Sequence, residues 1–184
     1  MTELVFLLEE PSAKAMLQGL LPNLVTDFTV RYIVFKGKQD LDKQIVARLR
    51  YYLVPNARFV VLRDKDSADC RAVKTKLIGK CRKAGKDQAL VRIACHQIES
   101  WYLADLAAVE RGLGLKGIAA KQNKQKYREP DRLANAADEL AVLTGQLYQK
   151  IGGSRAIGPH LDVANNRSHS FGVFVAGIRK LVTA

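Results

Sequence analysis

Four short apolar runs punctuate the first hundred residues, and between them the hydrophobic positions change period. Leu4 to Leu8, Phe28 to Phe35, Ala57 to Leu62 and Ala89 to Cys95 are too short for buried helices and rich in β-branched or aromatic side chains, which predicts buried strands. The segments between them repeat at helical spacing. Met16, Leu17, Leu20 and Leu21 share one face, Leu41, Ile45 and Leu49 step by four, and so do Val73, Leu77 and Cys81. Strand and helix alternating in this way predict right-handed crossovers and an α/β fold, with a mainly parallel sheet flanked by helices on both faces.

The second half carries a different pattern. Residues 111 to 132 hold seven Lys and Arg against Glu129 and Asp131 and almost no large apolar side chain, so an exposed, partly mobile insert is expected. Leu133, Ala137, Leu140, Leu147 and Ile151 then predict one helix from about Asp131 to Ile151, with Pro130 suited to its first turn. A glycine-rich turn over IGGSRAIGPH and a last helix striped by Phe171, Phe174, Ile178 and Leu181 follow. The expected organisation is an α/β core over 1–110 and a basic loop with capping helices over 111–184, together one compact domain.

Composition narrows the function. The 184 residues are 48% hydrophobic, enough for a packed core. No run approaches the roughly 18 to 20 apolar residues of a membrane span, and the opening MTELVFLLEE has no basic leader, so a cytoplasmic protein with no membrane partner is expected. Cys70, Cys81 and Cys95 are odd in number and lack CxxC spacing, against both a disulfide framework and a zinc site. The 30 Lys and Arg against 18 Asp and Glu leave a net charge of +12, which points to a polyanionic partner, DNA or RNA first.

Against that basic background, the predicted strand ends are acidic. The first exits into Glu9-Glu10-Pro11-Ser12, the third into Arg63-Asp64-Lys65-Asp66, and the fourth into His96-Gln97-Ile98-Glu99. In open α/β sheets chemistry gathers beyond the carboxyl ends of the strands. If these strands are neighbours, Glu9, Asp64, Asp66 and Glu99 approach one point, and hard oxygen ligands of this kind select Mg²⁺ or Mn²⁺. Each piece also has a structural explanation: Glu9-Glu10 suits a helix N-terminus, Asp66 or Ser67 suits an N-cap, and Trp101 and Tyr102 suit packing. No two of the three histidines stand at metal spacing on a helix, and Ser168 and Ser170 around His169 make no triad.

These residues also resemble a known family. LVFLLEEPSAKAMLQGLLP resembles the opening of Toprim-type proteins, and RFVVLRDKDSADC resembles their second signature, a strand ending in DxD. VRIACHQIESWYLADLAAVERGLG and NRSHSFGVF are similar to segments of a poorly characterised Toprim-like family related to the nuclease halves of OLD-family and RloB-type proteins. The resemblance implies a Toprim-like core with a helical cap and divalent-metal phosphodiester chemistry. It implies Glu9 as ligand and general acid or base, Asp64 and Asp66 as metal ligands, Glu99 as ligand for a second ion, and Lys150 as the cation that steadies developing charge. It also implies a role in phage or mobile-element defence beside a separate ATPase. Two departures stand out: Glu10 replaces the glycine usual after the first glutamate, and Ala13 replaces an acidic residue.

The leading expectation is a Mg²⁺- or Mn²⁺-dependent nuclease whose nucleic acid is held by Arg63, Lys65, Arg71, Lys74, Lys121, Lys124 and Lys126. From Arg63 to Lys86 nine Lys and Arg face three Asp. The alternative is a non-catalytic nucleic-acid-binding or assembly subunit with a decayed site, in which Glu10 and Ala13 mark the decay. A phosphotransfer or phosphatase domain fits less well, since the first strand lacks a DxD nucleophile. A homo-oligomer is the remaining partner expectation.

Overall fold

A computed structural model describes residues 2–183, and it places a four-stranded parallel sheet between two layers of helix. The strands are β1 (Thr2–Leu8), β2 (Phe28–Val34), β3 (Arg58–Asp64) and β4 (Leu90–Ala94), in spatial order β2-β1-β3-β4. Leu4 of β1 lies between Val30 and Arg58, and Val60 of β3 pairs with Leu90. All four predicted strands are present, and β1, β3 and β4 are adjacent, so their carboxyl ends open on one edge.

The sheet has two differently built faces because alternate side chains point opposite ways. Val5, Leu7, Phe59, Val61, Val91 and Ile93 pack against α2 (Lys38–Arg50) and α3 (Cys70–Lys83). Leu4, Phe6, Leu8, Val60 and Leu62 pack into a larger core with α1 (Pro11–Leu20), α4 (Glu99–Leu103), α5 (Leu106–Leu113), α6 (Ala136–Leu143), α7 (Lys150–Ile157) and α8 (His169–Thr183). Trp101, with ring centroids 5.2 Å from both Phe171 and Phe174, and Tyr102 are fully buried there. Among the described residues, no helix is long and apolar enough to cross a membrane. The three cysteines are free thiols.

Three expectations for the second half need correction. The basic segment is a held part of the structure: Ile118, Tyr127 and Pro130 are buried, and Glu110 accepts from the backbone N–H of Ile118 and Ala119 at 2.7 and 2.9 Å. The single helix over 131–151 is instead a short turn, α6, and the start of α7, with Leu147 and Ile151 exposed. The glycine-rich stretch expected as a turn is largely the helix α7. Glycines beside it let elements close in: a Cβ on Gly158, which follows α7, would meet the Met16 carbonyl oxygen of α1 at 2.4 Å, and one on Gly112 of α5 would meet the Ala156 carbonyl oxygen of α7 at 2.6 Å. Tertiary contact overrides the local breaker signal.

The Ser-His-Ser segment is structural as well. Ser168 Oγ accepts from the Phe171 N–H and donates to Asp131 at 2.6 Å, Asp131 also accepts from the Ser170 N–H at 2.8 Å, and Ser170 Oγ accepts from the Trp101 indole at 2.8 Å. The pair caps α8 and ties it to the indole.

Candidate carboxylate site

The acidic residues meet at the carboxyl edge of β1, β3 and β4. Glu9 follows β1 and is 8% exposed. Asp64 is the last residue of β3, and Glu99, 1% exposed, opens α4. Between β1 and β3 lies a crevice of about 10 Å³ lined by Glu9, Glu10, Ser12, Ala13, Leu62, Arg63, Asp64 and Ile98, at the lower limit for one water-sized occupant. Asp69, not Asp66 or Ser67, caps α3 by accepting from the Ala72 N–H at 2.8 Å. Asp66 is thereby left free to turn back toward the strand ends.

Its turn is held by His96. Both residues have left-handed backbone, with φ of 54° at Asp66 and 59° at His96, a conformation that costs a non-glycine residue roughly 1–2 kcal/mol. The Asp66 N–H donates to the His96 carbonyl at 2.8 Å, and His96 Nδ1 lies 3.0 Å from the Asp66 carbonyl. Only a protonated Nδ1 makes that bond, which leaves Nε2 to accept from Lys65 Nζ at 3.5 Å. Such paired strain gathers at functional sites.

The carboxylates feel one another strongly. Burial, then the charges of Glu99, Glu9, Glu10 and Asp66, pushes Asp64 well above the ordinary 3.8 of an aspartate. Burial also raises Glu9 and Glu99, with Asp66 adding to the first and Glu10 to the second. They do not close on one point, however. Among the described residues no three His, Cys, Asp or Glu are placed to hold an ion together. The reason is that most have a partner of their own. Asp66 is bonded by Lys38 at 2.9 Å, Glu10 by Lys150 at 3.1 Å, and Glu99 by the Tyr148 hydroxyl at 2.8 Å, while Arg63 Nε faces Glu9 at 3.7 Å.

In kind, the donor set fits Mg²⁺ or Mn²⁺. It offers hard oxygens, and Glu9 Oε2 is a buried acceptor with no hydrogen-bond partner. Sequence reasoning names Glu9, Asp64, Asp66, Glu99 and Lys150, and the structure gathers all five at one edge. Burial works against the charge on Lys150, but Glu10, Glu99 and Asp64 together hold its pKa above 10.5.

The nucleic-acid residues divide. Arg63 is 8% exposed and points inward at Glu9 and Asp42, so its side chain does not face solvent as expected. Lys65 leans on His96, and Lys126 pairs with Glu139 at 2.5 Å. Arg71 and Lys124 are exposed, Lys74 and Lys121 half-buried, and none of the four is in an ion pair among the described residues. The basic residues of α3 and those of 111–132 stand on opposite faces of the sheet. Sequence reasoning missed Lys38, Asp42 and Tyr148, and set His96 aside as a loop residue.

A family model for a domain of unknown function, DUF4276, matches residues 8–179, which includes every residue of this edge. The chain belongs to that family. No curated protein matches it. The C-terminal region of the Burkholderia pseudomallei OLD protein has a similar fold, with a TM-score of 0.53 at 15% identity over 97% of this chain and 98% of the solved one. That likeness is one of fold. It agrees with a parallel sheet flanked by helices throughout the length of this family member.

Proposed function

We propose that this family member is a divalent-metal-dependent, Toprim-like nuclease acting on phosphodiester bonds of DNA or RNA. The observation that carries the reading is the buried acceptor Glu9 Oε2 without a partner, on a carboxylate whose pKa is raised along with those of Asp64 and Glu99. Such a cluster costs stability unless a cation joins it. Once drawn from their present partners, Lys38 on Asp66 and Tyr148 on Glu99, the carboxylates of Glu9, Asp64, Asp66 and Glu99 would hold Mg²⁺ or Mn²⁺, which would supply Lewis acidity at a phosphoryl oxygen and steady the leaving oxygen. Glu9, its pKa raised by burial, would hold or release a proton at Oε2. Lys150 Nζ stabilises negative charge developing beside Glu10 and Glu99. Arg71, Lys74, Lys121 and Lys124 bind backbone phosphates with little sequence readout. By the same resemblance, the proposed setting is phage or mobile-element defence beside an ATPase.

One observation favours the second reading, a non-catalytic nucleic-acid-binding subunit. Glu10 engages Lys150 at 3.1 Å, and Ala13 lines the crevice at a position where the resembled family often has an acid. Incubation with supercoiled plasmid, single-stranded DNA and structured RNA in Mg²⁺, Mn²⁺ or EDTA separates the two. The nuclease reading predicts divalent-dependent cleavage lost in Glu9→Ala and Asp64→Ala. Cleavage that survives both substitutions contradicts it, and salt-sensitive binding without cleavage supports the second reading.

A further inference from the structure

Arg63 is the one basic residue of the expected nucleic-acid surface that the fold turns inward. Its Nε and Glu9 Oε2 are the buried side-chain polar atoms left without a hydrogen bond among the described residues. They face each other at 3.7 Å, in ion-pair range but too far for a hydrogen bond. Both side chains line the same small crevice.

The guanidinium does not close on Glu9 because it is held from behind. Arg63 Nη1 lies 3.5 Å from Asp42 Oδ2 on α2. Asp42 is itself fixed by Lys76 and Lys80 of α3, each at 2.9 Å, and its backbone carbonyl accepts from Lys80 at 2.5 Å. Arg63 is therefore shared between two carboxylates and makes a short bond with neither.

We propose that Arg63 is a resident counter-ion for Glu9, tethered by Asp42, and that a divalent cation in the crevice competes with it for the Glu9 carboxylate. This rests on the metal reading above. An ion engaging Glu9 would add positive charge a few ångströms from the guanidinium, and like charges at that range repel even with substantial screening. Asp42 sets the outcome, because it draws Arg63 away from Glu9. The pair thus tunes metal affinity without either residue being a ligand.

Calorimetric titration of Mn²⁺ into EDTA-treated, exchanged full-length protein tests this. Arg63→Gln is expected to bind about tenfold tighter than the wild type, and Asp42→Asn several-fold more weakly, because the freed guanidinium leans on Glu9. In the double variant the Asp42 effect disappears, as the tether then holds nothing. Asp40→Asn removes the same charge from the same helix without touching Arg63, and is expected to bind more nearly like the wild type than Asp42→Asn does. Equal affinity in all variants, or an Asp42 effect that persists without Arg63, overturns the proposal and leaves the metal reading standing. If neither wild type nor Arg63→Gln binds Mn²⁺, the metal reading falls and the proposal with it. If Arg63→Gln does not fold, the contrast between Asp42→Asn and Asp40→Asn decides, and equal binding by those two overturns it.

Discussion

Acidic side chains in this protein live in two kinds of surroundings. Asp42, between α2 and α3, is opposed by burial but receives Lys76 and Lys80, and its pKa falls below 3.8. Glu3, at the opposite end of β1 from the site, takes the Tyr52 hydroxyl and Arg31 Nε at 2.6 Å each and is also lowered. Asp131 binds both serines at the head of α8. At the carboxyl edge the balance reverses, and Asp64, Glu9 and Glu99 have fewer donors than their burial demands and rise. The same residue types serve as fasteners where donors saturate them and as a reservoir of unmet charge where donors fall short. A fold retains the second arrangement at a cost in stability, which is the usual trade at a working site.

The contrast is broken most severely at a fastener. Asp131→Ala leaves Ser168, Ser170 and the first turn of α8 without their acceptor. A loss of about 2–3 kcal/mol is expected, seen as a drop in Tm of roughly 5–10 °C. An unchanged melt would mean that saturation at Asp131 has no energetic weight.

A smaller loss is expected where the site borrows a donor. Tyr148→Phe removes the hydroxyl that serves buried Glu99 at 2.8 Å, for about 1–2 kcal/mol. Adding Glu99→Gln removes the stranded charge, and thermal melts of the double variant should recover part of the loss. If the second substitution deepens it, Glu99 is a fastener rather than an unmet charge.

Acid titration separates the two classes by sign. Asp64, Glu9 and Glu99 have folded pKa values above their unfolded ones, so their contribution is fully present below the ordinary 3.8 and 4.5 and is lost as pH rises through the raised values. Asp42, Glu3, Glu139 and Asp162 are lowered, so theirs is present above the ordinary values and lost as pH falls through the folded ones. Urea unfolding should therefore show greatest stability near about pH 5, declining toward pH 8 and again below pH 4. A steady rise from pH 5 to pH 8 would contradict the upper limb.

Much of this was legible in the sequence where the signal is local. Apolar runs such as Leu4–Leu8 and Phe59–Leu62 mark strands because burial on both sheet faces demands them, and half-buried Phe28–Val34 at the sheet edge still carries the β-branched and aromatic signal. Glu9, Asp64 and Glu99 could be grouped because parallel neighbours share an edge. The break between α6 and α7 was not legible, since Leu147 and Ile151 keep helical spacing yet face solvent. Nor was the helical state of the glycine-rich α7, because the contacts that seat it, Gly158 against α1 and Gly112 of α5 against the α7 backbone, join segments far apart in sequence. Arg63 was misplaced for the same reason. Its inward turn depends on Asp42, which comes from another helix and leaves no periodic trace.

If the strand-end carboxylates are short of a cation, Asp64, raised furthest by burial and by its neighbours' charges, is where the shortage shows. Thermal melts of wild type and Asp64→Asn at pH 8, in EDTA and in Mn²⁺, read that shortage in both directions. Asp64→Asn is expected to melt about 2–4 °C higher than wild type in EDTA, in line with relief of about 1 kcal/mol. Mn²⁺ is expected to raise the Tm of the wild type and not that of the variant. A variant that melts lower in EDTA and keeps the full Mn²⁺ response would show that these carboxylates lack no cation.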